Sequence, residues 1–202
     1  MGCGRSHRGA GKARPATFII WCSEGGSACN RRRDMVCSLG ETNTTNWKGG
    51  ENMELSELLE RQKTYFDTGA TLPLRERKRS LARLGKALLA NEDRLCEALK
   101  ADLGKSRSES YLCELGMVHS ELRHLLKNLD SYAADRPVKT PLAQFPARRF
   151  VRPCPKGCVL IVSPWNYPVL LTLGPLADAL AAGNTAILKP SAYSPHTSRL
   201  LR

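Results

Sequence analysis

The chain has 202 residues, 42% of them hydrophobic, with 31 Lys and Arg against 19 Asp and Glu for a formal net charge of +12. That length holds one domain, or one and a part, and no apolar run is long enough to span a bilayer, so membrane association is not expected. The basic excess would ordinarily point to nucleic acid. Residues 53–202, however, spread 23 basic and 15 acidic side chains over helix faces and a hairpin end, which argues against a phosphate-reading patch and leaves only weak steering of anionic cofactors.

Residues 1–52 are rich in Gly, Arg, Ser, Asn and Thr with little periodicity, and are expected to be disordered. Phe18-Ile19-Ile20-Trp21 is too short for the apolar region of a signal peptide, and no small-residue cleavage site follows. Met1-Gly2-Cys3-Gly4-Arg5-Ser6 has the form of an N-myristoylation signal with Cys3 as a palmitoylation candidate. A lipid-anchored interaction protein would rest on that short pattern alone. Lys48-Gly49-Gly50-Glu51-Asn52-Met53 can be encoded as a purine-rich run just ahead of an ATG, so residues 1–52 read more simply as translated leader before a start at Met53.

From Met53 a 3–4 spacing of apolar residues predicts helices through residue 136. Leu55, Leu58, Leu59, Gln62 and Phe66 form a first stripe, ended by Gly69. Pro73 opens a second helix with Leu74, Leu81, Leu84 and Leu88 inward and Arg75, Arg77, Lys78 and Arg79 on a solvated face. Asn91 is expected to cap a third, with Glu92 and Asp93 near the positive end of its dipole. Leu95, Leu99 and Leu103 are its stripe and Gly104 its stop. Ser106 and Glu109 make a capping box for a long fourth helix, whose stripe runs Leu112, Leu115, Val118, Leu122, Leu125, Leu129 and Tyr132 to Asp135-Arg136-Pro137.

His119 and His124 lie five apart on that helix, off a common face, and no metal site is expected; His196 reads as equally ordinary. Cys96 and Cys113 fall on apolar faces as buried thiols. Cys3, Cys22, Cys29 and Cys37 lack zinc-type spacing. Cys154 and Cys158 flank a turn that a disulfide could bridge, against a default of reducing cytoplasm.

Residues 137–157 leave the helical pattern. Phe145, Phe150 and Val151 stand among Pro141, Pro146, Pro153 and Pro155, with Arg148-Arg149 between, which predicts an extended arm or β-hairpin that wants a partner surface. Residues 158–202 then read as strand, helix, strand. Val159-Leu160-Ile161-Val162 has no polar alternation, the signature of a strand buried on both faces. Pro164 and Pro168 bar regular structure between them, and Pro168 starts a helix bearing Leu170, Leu171, Leu173, Leu176 and Leu180, which stops at Gly183-Asn184. A second buried strand, Thr185-Ala186-Ile187-Leu188, ends at Lys189-Pro190-Ser191. That order is a βαβ unit with parallel strands. Ser194 and Pro195 start a last helix. The fold class is therefore α/β: a helical layer, a hairpin arm, and the first βαβ of an incomplete Rossmann-like parallel sheet. Ligands of such sheets sit beyond the carboxyl ends of the strands, where Asn166 and Lys189 bring an amide and an ammonium to one crevice.

Pro164-Trp165-Asn166-Tyr167-Pro168, Ala182-Gly183-Asn184 and Leu188-Lys189-Pro190-Ser191, in this order, resemble the aldehyde dehydrogenase superfamily, and Tyr167 with its surroundings is most similar to the class 3, fatty-aldehyde branch. The resemblance runs from about Met53 to Arg202. It implies NAD- or NADP-dependent oxidation of an aldehyde to a carboxylic acid in a homo-oligomer built partly through residues 137–157, located in the cytoplasm. By that resemblance Asn166 donates its side-chain N–H to the oxyanion of a cysteine–aldehyde adduct, Lys189 reaches the adenosine ribose, and Val162, Pro164 and Trp165 line the cofactor wall. One departure stands out. The family often has a glutamate three residues after the lysine, where this chain has Ala192. Without that carboxylate a 2′-phosphate is repelled less, so NADP is expected to be tolerated beside NAD.

The resemblance also places the thiolate nucleophile, the glutamate base and the Gly-rich phosphate motif downstream of the lysine motif. No cysteine follows Cys158 and no G-x-G-x-x-G occurs, so the chain reads as an amino-terminal fragment, inactive alone. Acyl-phosphate or acyl-CoA reductases of the same superfamily, and a non-catalytic fragment that binds an intact homologue, are the alternatives.

Overall fold

The computed structural model describes residues 55–202 and the backbone of residues 18–20. Strand β1 (Phe18–Ile20) is followed among the described residues by the helices α1 (Leu55–Asp67), α2 (Leu74–Ala90) and α3 (Glu92–Leu103). The short α4 (Arg107–Ser110) runs through a π-helical turn, Tyr111–Leu115, into α5 (Gly116–Ala133). A two-stranded antiparallel hairpin follows, β2 (Arg136–Val138) with β3 (Arg149–Val151), and then β4 (Cys158–Val162), α6 (Leu170–Ala182), β5 (Thr185–Lys189) and α7 (Pro195–Leu200).

The helices form because leucines recur on one face, and they stay because those faces meet. Leu81, Leu84 and Leu88 of α2, Leu95 and Leu99 of α3, Val118, Leu122, Leu125 and Leu129 of α5, and Leu173, Leu176 and Leu180 of α6 make one buried cluster, closed on the sheet side by Ala186 and Leu188. Each such leucine contributes roughly 1.5–3 kcal/mol relative to an exposed position. β4 and β5 pair in parallel from Cys158↔Thr185 to Val162↔Lys189. The outer edge of β5 takes the backbone of β1, also parallel, giving the order β1-β5-β4.

Several expectations are corrected by tertiary contacts. The strand at Phe18–Ile20 departs from the disorder expected of residues 1–52. The acylation pattern at Met1–Ser6, the remaining leader residues and Cys3, Cys22, Cys29 and Cys37 lie outside the described residues. β4 is not buried on both faces: Leu160 and Val162 are 58% and 62% exposed. Residues alternate in a strand. Val159 and Ile161 pack on the core side, whereas α1 covers the other face only near the start of the strands, where the Thr185 hydroxyl donates to the Gln62 carbonyl. Leu55, assigned to the α1 stripe, is exposed.

Arg77, assigned to a solvated face, instead turns inward and donates to the carbonyls of Thr71 and Ala181. Asn91 does not cap α3 with its side chain; its amide donates back to the Ala87 carbonyl and closes α2. Leu112 is 71% exposed although it heads the expected stripe. It stands six residues before Val118, roughly 120° round the helix from that buried side chain, whereas Glu114, four residues before Val118, takes the inward place. Tyr132 is also exposed, its hydroxyl bonded to His124. Cys154 and Cys158 are free thiols, and no disulfide bridges their turn.

Helix α6 ends where Gly183 adopts φ +88°, and a Cβ there would lie 2.8 Å from Nε of Arg77, whose guanidinium is already held by its two carbonyls. Gly104 ends α3 in a similar left-handed conformation, φ +69°, with open space around it. Gly104→Ala should therefore cost only the left-handed strain, about 1–2 kcal/mol. Gly183→Ala should cost that and also displace Arg77, at about 1 kcal/mol for each hydrogen bond lost. Urea unfolding of the two variants checks the difference, and equal losses would remove Arg77 from the explanation.

Candidate functional site

Because Val162 pairs with Lys189, the chain leaves β4 and β5 at the same edge of the sheet. The Ser163 N–H donates to the Lys189 carbonyl at 3.2 Å and carries the pairing one residue further. Beyond that point the chain turns back on α6. The Thr172 hydroxyl donates its one proton to the Pro168 carbonyl at 2.6 Å, so a lone pair of its oxygen accepts from the buried Ser163 hydroxyl, also at 2.6 Å. Pro164, Trp165, Asn166 and Tyr167 form the exposed tip of this loop, with Lys189 half-buried beside its base. Asn166, just past the carboxyl end of β4, and Lys189, the last residue of β5, thus stand at the same end of adjacent parallel strands, with the exposed Val162 and Trp165 next to them.

Beneath the tip lies a pair of charges that no sequence pattern singles out. Glu114 is fully buried, and its Oε1 accepts from Nζ of the buried Lys105 at 2.6 Å. Its Oε2 accepts the backbone N–H groups of Val169 and Leu170, at 2.8 and 3.2 Å, and so caps α6. A carboxylate suits this place, because the first N–H groups of a helix lack partners and carry positive partial charge. Lys105 Nζ also donates to the backbone carbonyl of Asn166 at 2.9 Å and lies 4.1 Å from the centre of the Tyr167 ring. The hint in the sequence is spacing: Glu114 stands four residues before Val118 and eight before Leu122, on the buried face of the helix, where a carboxylate needs a partner.

The far side of the site is pinned in a similar way. Ser198 Oγ donates to the Ser191 carbonyl at 2.7 Å. Helix α7 is capped by Asp102 of α3, not by Ser194: the Asp102 carboxylate accepts the N–H groups of His196 and Thr197, at 3.0 and 2.7 Å, and bonds His196 Nδ1 at 2.7 Å. His196 is thus more than an ordinary helix residue. Ala192 is exposed between these anchors. Among the described residues no cluster of three or more His, Cys, Asp or Glu could hold a metal ion, and no helix is long and apolar enough to cross a membrane.

The sequence profile described as "Aldehyde dehydrogenase family" matches residues 27–202. The chain belongs to the aldehyde dehydrogenase family. It is 43% identical over 145 residues to aldehyde dehydrogenase family 3 member B3 of Mus musculus, covering 72% of this chain and 30% of that protein. It is 38% identical over 149 residues to the aldehyde dehydrogenase of Canis lupus familiaris named dimeric NADP-preferring, covering 73% of this chain and 33% of that one. The substrate-bound structure of Staphylococcus aureus AldH superposes with a TM-score of 0.71 at 38% identity, over 74% of this chain and 33% of that chain. The chain therefore spans about a third of the length of these aldehyde dehydrogenases. The family match begins upstream of Met53, inside the stretch that reads as leader.

Burial of the Asp102 carboxylate pushes its pKa up, but the hydrogen bonds from Thr197 and His196 outweigh that and hold it below the ordinary carboxylate value. A group depressed in the folded state stabilises above its unfolded value, about 3.9, and that stabilisation is lost as the pH falls through the folded pKa. Stability measured by urea unfolding should fall with acidification below about pH 4, and the slope should flatten in Asp102→Asn. An unchanged slope would show that other carboxylates govern the acid limb.

Proposed function

We propose that these residues form the first part of the cofactor-binding half of an enzyme that oxidises an aldehyde to a carboxylic acid with NAD or NADP. The observation that carries the reading is the side-by-side exit of the Asn166 loop and Lys189 from two paired parallel strands. That is where an α/β sheet receives a ligand, and a half-buried ammonium beside exposed apolar Val162 and Trp165 suits a polar ribose joined to a flat base. In this reading Lys189 holds the adenosine ribose, while Val162, Pro164 and Trp165 form the wall. The nicotinamide, when bound, supplies the hydride acceptor.

Asn166 contributes the side-chain N–H that stabilises negative charge on the aldehyde oxygen once a cysteine thiolate has added to the carbonyl carbon. The cysteine and the glutamate that activates water are expected in sequence beyond Lys189. The 202 residues by themselves should therefore form no NADH or NADPH from an aldehyde. Ala192, in place of a carboxylate, leaves room for the 2′-phosphate of NADP, and the dog relative named NADP-preferring supports that choice.

The hairpin of β2 and β3 is the surface we assign to a second copy. It carries Leu142, Phe145, Phe150 and Val151 exposed, beside Arg152, which is paired with Asp135. The relative named dimeric supports the assignment. The free thiols of Cys96, Cys113, Cys154 and Cys158 suit the reducing cytoplasm.

The test joins residues 53–202 to the remaining two-thirds of a class 3 relative and follows absorbance at 340 nm. Asn166→Ala should lower kcat by about 10²–10³ with little change in cofactor KM. Lys189→Ala should instead raise cofactor KM. Ala192→Glu should raise KM for NADP more than for NAD. Unaltered kinetics in the first two variants, or NAD(P)H formation by the unjoined chain, would overturn the reading.

A further inference from the structure

We propose that Lys105 and Glu114 are positioning residues for Asn166, acting from beneath the loop of residues 163–169. The inference rests on the oxyanion role proposed above for Asn166, but its geometry stands apart from it. The loop leaves β4 at Ser163 and enters α6 at Val169 with Pro164 and Pro168 inside it, and the helical bond that reaches its tip, from the Leu171 N–H to the Tyr167 carbonyl at 2.9 Å, leaves Asn166 to be fixed by other means. Residues 164–167 are exposed, and apolar packing does not hold them either.

The charge pair grips the loop at two points instead. Lys105 Nζ takes the Asn166 carbonyl at 2.9 Å and stacks under the Tyr167 ring. Glu114 Oε2 takes the N–H groups of Val169 and Leu170, where the loop becomes helix. The pair itself, 2.6 Å apart, locks the two grips to each other.

A buried ion pair is a poor way to gain stability. Desolvation offsets most of the attraction, and apolar side chains of similar volume often do as well or better. What this pair supplies that leucines could not is direction: an ammonium donor aimed at the Asn166 carbonyl and a carboxylate oxygen that takes two specified backbone N–H groups. The backbone is shaped to deliver it. A bond from the Gly116 N–H to the Tyr111 carbonyl closes the π turn that contains Glu114, and a Cβ at Gly116 would lie 2.9 Å from that carbonyl oxygen. π turns of this kind are frequent at functional sites.

The prediction separates positioning from stability within the 202-residue chain, with no cofactor or aldehyde present. A single substitution would leave one buried charge unpaired and endanger the fold, so the Lys105→Met/Glu114→Gln double variant carries the test, beside Lys105→Arg. Urea unfolding reports global stability. Amide hydrogen exchange by NMR reports Val169 and Leu170, and the side-chain amide resonances of Asn166 report its order.

The double variant should unfold at a urea midpoint close to the parent's. Exchange at Val169 and Leu170 should nonetheless rise at least ten-fold, and the Asn166 side-chain signals should broaden or shift toward free-amide values. Lys105→Arg, which keeps cation and donors, should leave the Asn166 signals as in the parent. A folded double variant with unchanged exchange and unchanged Asn166 signals would overturn the proposal. So would a lowered midpoint with exchange rising equally throughout the core, which is what a purely structural pair would give. Failure of the oxyanion reading would show separately, as unaltered kinetics in Asn166→Ala.

Discussion

Two strands that run the same way cannot be joined by a tight turn; they need a crossover. In this chain the crossover is α6, and the parallel pairing of β4 with β5 is the constraint from which the site follows. Once Val162 lies opposite Lys189, the segments leaving both strands emerge together, and whatever they carry is juxtaposed. The remaining anchors serve to fix where α6 begins and ends. Glu114 caps its first N–H groups, and Gly183 turns its last residue toward β5 over the Arg77 guanidinium. Asn184 then takes the N–H groups of Lys156 and Gly157 on its side-chain oxygen, tying the start of β4 beside the start of β5.

The apolar core and the polar anchors divide the work. Leucines of α2, α3, α5 and α6 supply non-directional burial that packs a helical layer onto one face of the sheet. Burial of that kind tolerates sliding. The buried or half-buried polar groups (Arg77, Asp102, Lys105, Glu114, Asn184) each bind backbone atoms of a distant segment, and so remove the freedom to slide. They converge on the loop after β4 and on the turns before and after β5, the same places where aldehyde dehydrogenases and this chain share their residue pattern. Apolar surface that the core does not use remains on the hairpin and at the outer end of β4.

Much of this was legible in the amino acids taken one after another. Helix faces, the stops at Gly104 and Gly183, the order of strand, helix and strand, the hairpin, and the family all follow from local periodicity, turn chemistry and an ordered motif. Those signals work because each depends on residues a few positions apart. What they could not deliver are the contacts that span the chain: Arg77 with Ala181, Asp102 with His196 and Thr197, and Lys105 with Asn166. A charged residue on a helix reads as solvated until another element is laid against it, and Leu160 reads as buried until its face of β4 proves exposed. From residue 55 onward the sequence alone determined the order of helices and strands and the family they belong to, since short-range sterics and hydrophobic spacing suffice for that. Only the tertiary structure decided which polar side chains turn inward, because that depends on whether a distant backbone group arrives to satisfy them.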